Sequence, residues 1–231
     1  MTASKTKVAA VIVAAGQGLR MGGIDKVLSP LGEEPILLRT TRVFQDSPLI
    51  GQVVIVIAGE KEEMCRRLIG GEEWSKVTHI CIGGPRRQDS VAEGLKRLDR
   101  FDYVMIHDGA RPLVTADIID RGLDAARETG AAVAAVPVTD TIKRADGDHT
   151  VLETLDRQDL WAVQTPQVFR FDVIQIAHLQ DAEEATDDAS LVERLGHKVK
   201  LYMGAYDNLK ITTPDDLVVA ENVLRQRREA K

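Results

Sequence analysis

Val8-Ala9-Ala10-Val11-Ile12-Val13, then Ala14-Ala15-Gly16-Gln17-Gly18-Leu19-Arg20-Met21-Gly22-Gly23, closed by Lys26, is the stretch that decides the reading of this chain. The apolar run reads as a buried β-strand. Small residues and glycines directly after a strand let the backbone approach a ligand, and their N–H groups can cradle phosphates. Arg20 and Lys26 add two cations where a polyphosphate would lie. Spacing excludes two phosphate motifs. A dinucleotide fingerprint needs glycine three residues after Gly18, where Met21 stands, and a P-loop needs Lys and Ser/Thr straight after its second glycine, where Ile24 follows Gly23. A glycine loop with a delayed basic pair instead suits binding and splitting a nucleoside triphosphate.

Outward from this loop, apolar runs recur at Val53–Ala58, Val77–Ile82, Tyr103–Ile106, Ala131–Val136 and Val199–Met203. Helix-like stretches at Ile36–Phe44, Lys61–Ile69, Ser90–Leu98 and Ala116–Glu128 lie between most of them. The alternation predicts an α/β fold, a Rossmann-like mostly parallel sheet with helices on both faces. Ligands in such sheets bind beyond the carboxyl ends of the strands, where Gly16, Asp108 and Thr139 fall. The last helix opens with Thr213 as N-cap, Pro214 at its first position and Asp215 and Asp216 in its first turn. The segment from Val138 to Val163 breaks the rhythm: it is polar, carries Asp146-Gly147, and alternates apolar with polar residues near Val151–Leu155. It predicts a protruding β-hairpin arm on a single domain spanning residues 1–231.

The 231 residues suffice for a substantial core, with 44% hydrophobic and 29% charged residues. A net charge of −6 argues against general affinity for nucleic acid or membrane surfaces, so an anionic substrate needs a local positive pocket. Cys65 and Cys81 have no C-x-x-C or metal-ligand spacing, and five scattered histidines make no metal cluster. This fits a reduced, cytoplasmic setting. Lys5 and Lys7 ahead of Val8–Ala15 imitate a secretory signal, but the run is short and glycine and arginine chemistry follows it. It is read as strand one, and no segment is apolar for long enough to span a bilayer.

The first loop resembles the signature of the sugar-phosphate nucleotidylyltransferases, whose first strand ends in A-A/G-G-x-G-x-R-M followed by a lysine. Along nearly its whole length the chain is similar to one family in that group, the 2-C-methyl-D-erythritol 4-phosphate cytidylyltransferases. The matching pieces are Ala14-Ala15-Gly16, Arg20-Met21, Lys26, Gly83-Gly84 with Arg87 and Asp89-Ser90-Val91, and His107 to Pro112. Asp140-Thr141, Asp156-Arg157, Gln164 to Gln167, Thr186 to Ser190 and Asp207 to Thr212 continue the series in order. Two positions depart from the pattern: Val27-Leu28 follow Lys26 where the family usually has Gln and an aromatic, and Pro85 stands where some relatives carry an acidic residue.

The resemblance implies an enzyme that joins CTP to a polyol phosphate in non-mevalonate isoprenoid biosynthesis and releases pyrophosphate. It implies Arg20 and Lys26 at the crowded α-phosphate, and Ala14, Ala15, Gly16, Gly18, Gly83, Gly84 and Ser90 around the nucleotide. Asp108, Arg111, Thr165, Thr186 and Lys210 would hold the acceptor, with Thr139 and Arg157 arriving on the arm of a second subunit in a homodimer with shared active sites. Mg²⁺ would ride on the CTP phosphates, with no dedicated protein metal site.

Each residue has a plainer alternative. The alternative for Arg20 is a surface residue at a helix start and for Lys26 a solvated loop cation, with the functional reading of the loop ahead of both, and Ser90 could also cap a helix. Asp108 and Arg111 read as an ion pair tying down a loop, Thr165 as a turn before Pro166, and Thr186 as the N-cap of a helix beginning at Asp187. His107 reads as a structural histidine. Two rival functions stand beside the main one. A ribitol 5-phosphate cytidylyltransferase shares these loops but usually has A-G-G at Ala14-Ala15-Gly16. A nucleotide-binding module without turnover would be expected to lack Arg20, Lys26 or Asp108, and all three are present.

Overall fold

The computed structural model describes residues 6–16, 27–180 and 183–229. Strands β1 (Val8–Ala14), β4 (Ile50–Ile57), β5 (Val77–Ile82), β6 (Tyr103–Asp108), β7 (Ala131–Pro137), β10 (Trp161–Arg170) and β11 (Lys200–Met203) form one sheet. Their order is β11-β7-β10-β6-β1-β4-β5. All neighbouring pairs are parallel except those of β10, which runs against both β6 and β7. A two-residue ladder, β2 (Pro30–Leu31) with β3 (Glu34–Pro35), precedes the first helix, and β8 (Lys143–Ala145) with β9 (Val151–Thr154) makes a separate two-stranded sheet.

Period-two alternation shows why the strands read as continuous apolar runs. Val8, Ala10, Ile12 and Ala14 join one hydrophobic cluster, and Ala9 and Val11 the other, so both faces of β1 are buried. Helices α1 (Ile36–Asp46), α2 (Glu62–Gly70) and α4 (Ala116–Thr129) cover the first face, through Leu37, Phe44, Cys65 and Leu123. Helices α3 (Arg87–Leu95), α5 (Phe171–Gln180) and α6 (Asp188–Arg194) cover the second, through Val91, Leu95, Ile174 and Leu191. Helix α7 (Pro214–Glu229) packs Ala220 with Leu31, Ile36, Leu113 and Ile211 in a third cluster. Its start is held by Asp216, whose carboxylate accepts from the Thr212 and Thr213 N–H groups at 2.8 Å. Neither cysteine is in a disulfide, and among the described residues no helix is long and apolar enough to cross a membrane.

Three expectations shift. Helix α3 begins at Arg87 rather than Ser90, because the Asp89 carboxylate accepts from the Arg86 N–H at 3.1 Å and starts the helix three residues early. Strand β10 takes in Trp161–Val163, the last residues assigned to the arm. The hairpin turn is also longer than Asp146-Gly147: Asp146 Oδ1 accepts from the Asp148 and Thr150 N–H groups, and the positive φ falls on His149. Because the chain leaves β7, makes the arm and re-enters from the same end, β10 is necessarily antiparallel.

Gly122 sits where α4 meets the sheet. A Cβ there would lie 2.7 Å from Tyr202 Oη and 2.9 Å from Val168 Cγ2. Tyr202 cannot swing away freely, since its hydroxyl donates to the Pro166 carbonyl at 3.0 Å inside the core. Gly122→Ala would gain about 1 kcal/mol of helix propensity, yet overpacking of this kind costs about 1–3 kcal/mol. The expected result is net destabilisation, read as a lower midpoint in urea; a more stable variant would show that the contact relaxes.

Candidate active site

Strand order reverses between β1 and β6, since the chain runs from β1 to β4 and β5 on one side and places β6 on the other. The crevice beyond the carboxyl ends at such a switch point is the usual ligand site of open α/β sheets. Val13 and Asp108 are register partners there, and the Gly109 N–H donates to the Val13 carbonyl at 2.8 Å. A cavity of about 470 Å³ opens at this point, with Ala14, Ala15, Gly16, Gly83, Gly84 and Ser90 in its wall. Gly18, Arg20 and Lys26 lie outside the described residues; Gly16 and Val27, the nearest described residues on either side, both line the cavity.

Gly83 and Gly84 are glycines because of what they touch. A Cβ on Gly83 would lie 2.5 Å from Ser90 Oγ and 2.6 Å from Ala15 Cβ, and one on Gly84 would lie 2.4 Å from Asp89 Cβ. The second loop therefore packs its bare backbone against the first loop and against α3. Ser90 is not the helix cap: Arg86 occupies that position, and the Ser90 hydroxyl points back to the carbonyls of Gly84 (3.3 Å) and Arg86 (3.1 Å).

A second cavity, of about 460 Å³, includes Arg111, Thr165 and Thr186 in its lining. It shares Arg87, Asp108 and Lys210 with the first. Asp108 is the hub of this junction. Its Oδ2 meets Lys210 Nζ at 2.8 Å and Arg111 Nε at 3.6 Å, and its Oδ1 meets Arg87 Nε at 3.4 Å. Burial alone would raise the Asp108 pKa, but Arg87, Lys210 and Arg111 together hold it well below the usual carboxylate range. Asp188 follows the same logic: burial raises it, and Arg87 and His178 bring it below its ordinary value. Burial lowers the Arg87 pKa, but the two carboxylates outweigh this and leave it raised. Because both carboxyl pKa values are depressed on folding, their stabilisation is complete above the ordinary carboxylate pKa. It is lost as pH falls through the depressed folded values.

Beneath the hub runs a buried hydrogen-bond chain. The Asp108 N–H donates to Thr165 Oγ1 at 3.0 Å, Thr165 Oγ1 lies 3.1 Å from His107 Nδ1, and His107 Nε2 lies 3.1 Å from the Arg111 carbonyl. With a carbonyl opposite Nε2, the proton belongs on Nε2, and the Thr165 hydroxyl donates to Nδ1. Burial lowers the His107 pKa to about 4, so the ring is neutral, and it packs against Phe44 with centroids 5.0 Å apart. His107 is thus structural, as expected. Thr165 is not in a turn: it lies within β10, at the register shift between Val163 and Gln167 and before a cis bond to Pro166. At the register shift its hydroxyl meets Asp108 and His107 of β6. Thr186 is not a cap either, because Asp187 fills that position and accepts from the Ser190 N–H at 3.0 Å.

Thr139 and Arg157 meet each other, Arg157 Nη1 donating to the Thr139 carbonyl at 2.6 Å, but neither lines either cavity of its own chain. Conversely, the structure brings in two residues that the sequence reading quoted only as parts of matching pieces. Arg87 reaches both Asp108 and Asp188, the latter at 2.6 Å through Nη1. In the structure Arg87 opens α3 and Asp188 opens α6, but the pairing spans 101 positions and no local pattern relates the two.

A Rossmann-like sheet whose switch point carries a glycine-walled cavity opening onto a cation-lined one has the architecture of an α/β nucleotidyltransferase. The sequence profile for 2-C-methyl-D-erythritol 4-phosphate cytidylyltransferase matches residues 8–226. The chain belongs to the 2-C-methyl-D-erythritol 4-phosphate cytidylyltransferase family. A relative of that name from Dehalococcoides mccartyi is 50% identical over 96% of this chain and 98% of its own. One from Alkaliphilus oremlandii is 47% identical over 99% and 98%. The crystal structure of the 4-diphosphocytidyl-2C-methyl-D-erythritol synthase of Anaerococcus prevotii superposes with a TM-score of 0.84 at 30% identity, covering 96% of this chain and 97% of that one. The Thermus thermophilus 2-C-methyl-D-erythritol 4-phosphate cytidylyltransferase superposes with a TM-score of 0.76 at 33% identity, covering 95% and 100%.

Thr165→Val keeps the shape at the hub and removes the hydroxyl. The Asp108 N–H and His107 Nδ1 both lose their partner, so the change should cost about 1–3 kcal/mol of stability. Equilibrium denaturation measures this directly, and an unchanged midpoint would show that the chain of bonds carries no weight.

Proposed function

We propose that the protein joins CTP to 2-C-methyl-D-erythritol 4-phosphate, giving 4-diphosphocytidyl-2-C-methyl-D-erythritol and pyrophosphate. An oxygen of the acceptor phosphate attacks the α-phosphorus of CTP, the bond to the bridging oxygen breaks, and pyrophosphate leaves with that oxygen. The observation carrying this reading is the pair of cavities that meet at Arg87, Asp108 and Lys210. Two anionic substrates can be brought together where their sites share cations, and such transfer depends chiefly on positioning and positive charge. CTP is assigned to the glycine-walled cavity, with its base at Ala14, Gly83, Gly84 and Ser90. Arg20, Lys26 and the backbone of Ala15, Gly16 and Gly18 are assigned to the triphosphate. The polyol phosphate is assigned to the second cavity, with Asp108 on its hydroxyls and Arg111, Thr186 and Lys210 around it. Thr165 supports Asp108 from below.

A strong general base is not required, because a phosphate monoester with a second pKa near about 6 is mostly dianionic at neutral pH. This agrees with the hub, where Asp108 is ionised among cations and His107 is buried and neutral with both ring nitrogens engaged. Mg²⁺ is assigned to the CTP phosphates as part of the substrate. The carboxylate at the junction is surrounded by three positive groups, a poor setting for a divalent cation. Pyrophosphate release from CTP across a panel of polyol phosphates tests the reading; release with ribitol 5-phosphate and none with the erythritol compound would overturn it.

Asp108→Asn keeps the side-chain shape and removes its charge. A site built to hydrogen-bond substrate hydroxyls should lose about 10²-fold or more in kcat/KM for the polyol phosphate. CTP affinity should change little, because the substitution removes a negative charge and leaves the three cations themselves in the chain. Calorimetry showing lost CTP binding would place Asp108 in the nucleotide half.

The assembly is proposed to be a two-fold dimer in a cytoplasmic setting, each arm lying over its neighbour's site and bringing Thr139 and Arg157 to the acceptor phosphate. Support comes from the exposed apolar side chains at and beside the arm, namely Val151, Leu152, Trp161, Val163 and Met203. Val163 and Met203 flank Ala135 from its two neighbouring strands. Arg157→Ala and Lys26→Ala should each be inactive. In a mixed dimer one site would carry both defects and the other neither, so subunit exchange should restore about half the activity per heterodimer. Mixtures that stay inactive despite proven exchange would put Arg157 in its own site or in a structural role.

A further inference from the structure

Asp188, the first residue of α6, is fully buried and lines neither cavity. Two groups satisfy it: Arg87 Nη1 lies 2.6 Å from Oδ2, and His178 Nε2 lies 3.2 Å from Oδ1. The Arg87 guanidinium therefore spans two carboxylates, with a short contact to the buried one and a longer contact, 3.4 Å from Nε, to Asp108. Stability alone is a weak reason for such an arrangement, because a buried ion pair gains little over apolar packing of the same shape. Its geometry has a clearer consequence. A guanidinium is a planar fork that prefers to take both oxygens of one carboxylate. Released from Asp188, Arg87 would turn onto Asp108 and occupy the oxygen that now carries only its longer contact.

We propose that Asp188 is a positioning residue for the acceptor site: by anchoring Arg87 through Nη1, it keeps the guanidinium from closing on Asp108 Oδ1 and leaves that oxygen open to substrate hydroxyls. The inference rests on the assignment of that cavity to the polyol phosphate. Its placement is rigid on both sides. Arg87 opens α3, whose start is clamped by the Arg86–Asp89 pair, while α6 is tied to β10 by Gln167, which accepts from the Ala189 N–H at 3.1 Å and donates to Asp187 at 2.8 Å. A short link between two such helices can set the direction of a carboxylate that neither helix carries.

Steady-state kinetics with CTP and 2-C-methyl-D-erythritol 4-phosphate tests this in Asp188→Asn, Arg87→Lys and the double variant. Asp188→Asn keeps the shape and removes the anchor. KM for the acceptor should rise about tenfold or more, the scale of one lost hydrogen bond to a charged group. KM for CTP should stay within about twofold, and kcat should fall by less than the acceptor KM rises. Arg87→Lys retains the cation that both cavities share but cannot fork between both carboxylates, so its acceptor KM should rise by about the same factor as in Asp188→Asn. Combining the two should add little, because each breaks the same link. Equal rises in both KM values, additive losses, or a lowered Tm with unchanged KM values would each overturn the proposal. If Asp188→Asn fails to fold, Asp188→Glu, which keeps the anchoring charge but moves it by one methylene, decides the matter by the same split. Wild-type turnover in the same assay separates the two levels. Without it the functional reading falls and this proposal with it; with it, an absent KM split removes Asp188 alone.

Discussion

The structure around the switch point depends on how one buried carboxylate, Asp108, is neutralised. A charge taken out of water is tolerated only when it is paired and hydrogen-bonded. Here the pairing is supplied by Arg87 at the start of α3, Arg111 in the loop after β6 and Lys210 in the segment between β11 and α7. Meeting that demand draws three distant parts of the chain to the end of one strand. The rest of the site follows from the gathering. Arg111 in turn donates to the Asn208 carbonyl at 2.8 Å, and Asn208 donates to the Thr165 carbonyl at 3.0 Å, so the wall of the second cavity closes on itself. A chain of net charge −6 thereby builds a locally cationic junction.

The central strands were legible because both faces of the sheet are covered. Such strands must be apolar throughout, and the runs at Val53, Tyr103 and Ala131 announce themselves without any knowledge of their partners. β10 was not legible for the opposite reason. Gln164, Thr165, Pro166 and Gln167 interrupt any apolar or alternating pattern, because that stretch is irregular where it serves the site. Its polar residues are satisfied by partners far along the chain: Gln164 by Ala205 and Asn208, Gln167 by Asp187 and Ala189. Helix starts were misplaced on the same principle. Ser90 and Thr186 look like caps locally, but Arg86 and Asp187 cap instead, once the carboxylates of Asp89 and Asp187 find their N–H groups.

The site itself was legible as a set of residue types at strand ends, and less so as a set of contacts. Ala14, Gly16, Gly83, Gly84, Ser90, Asp108 and Lys210 do line one cavity. The Asp188–Arg87 pair lay hidden inside motifs that named its residues without relating them. Sequence order cannot reveal such a relation, since α3 and α6 meet only after the sheet has brought β10 next to β6. The ion pair expected between Asp108 and Arg111 is present, and it does not exclude a substrate role for either. The ion pairs are what hold the carboxylate at the cavity junction in its ionised form.

The arm poses the remaining physical question. None of residues 138–160 is buried within its own chain, and β8 and β9 pair only with each other. An isolated two-stranded hairpin is marginal in water, because it has no apolar face to bury. Val151 and Leu152 nonetheless sit exposed on β9, while Arg157 is fixed to Thr139 at the arm's base, away from both cavities of its own chain. An element with exposed apolar side chains and a pre-set guanidinium would gain both stability and purpose from the proposed burial of its surface against a second molecule. If that molecule is a copy of this chain, two-fold symmetry makes the exchange reciprocal, so each hairpin is ordered by the partner whose site it completes. On that account the arm's lack of a core of its own is a consequence of where its core residues are meant to pack.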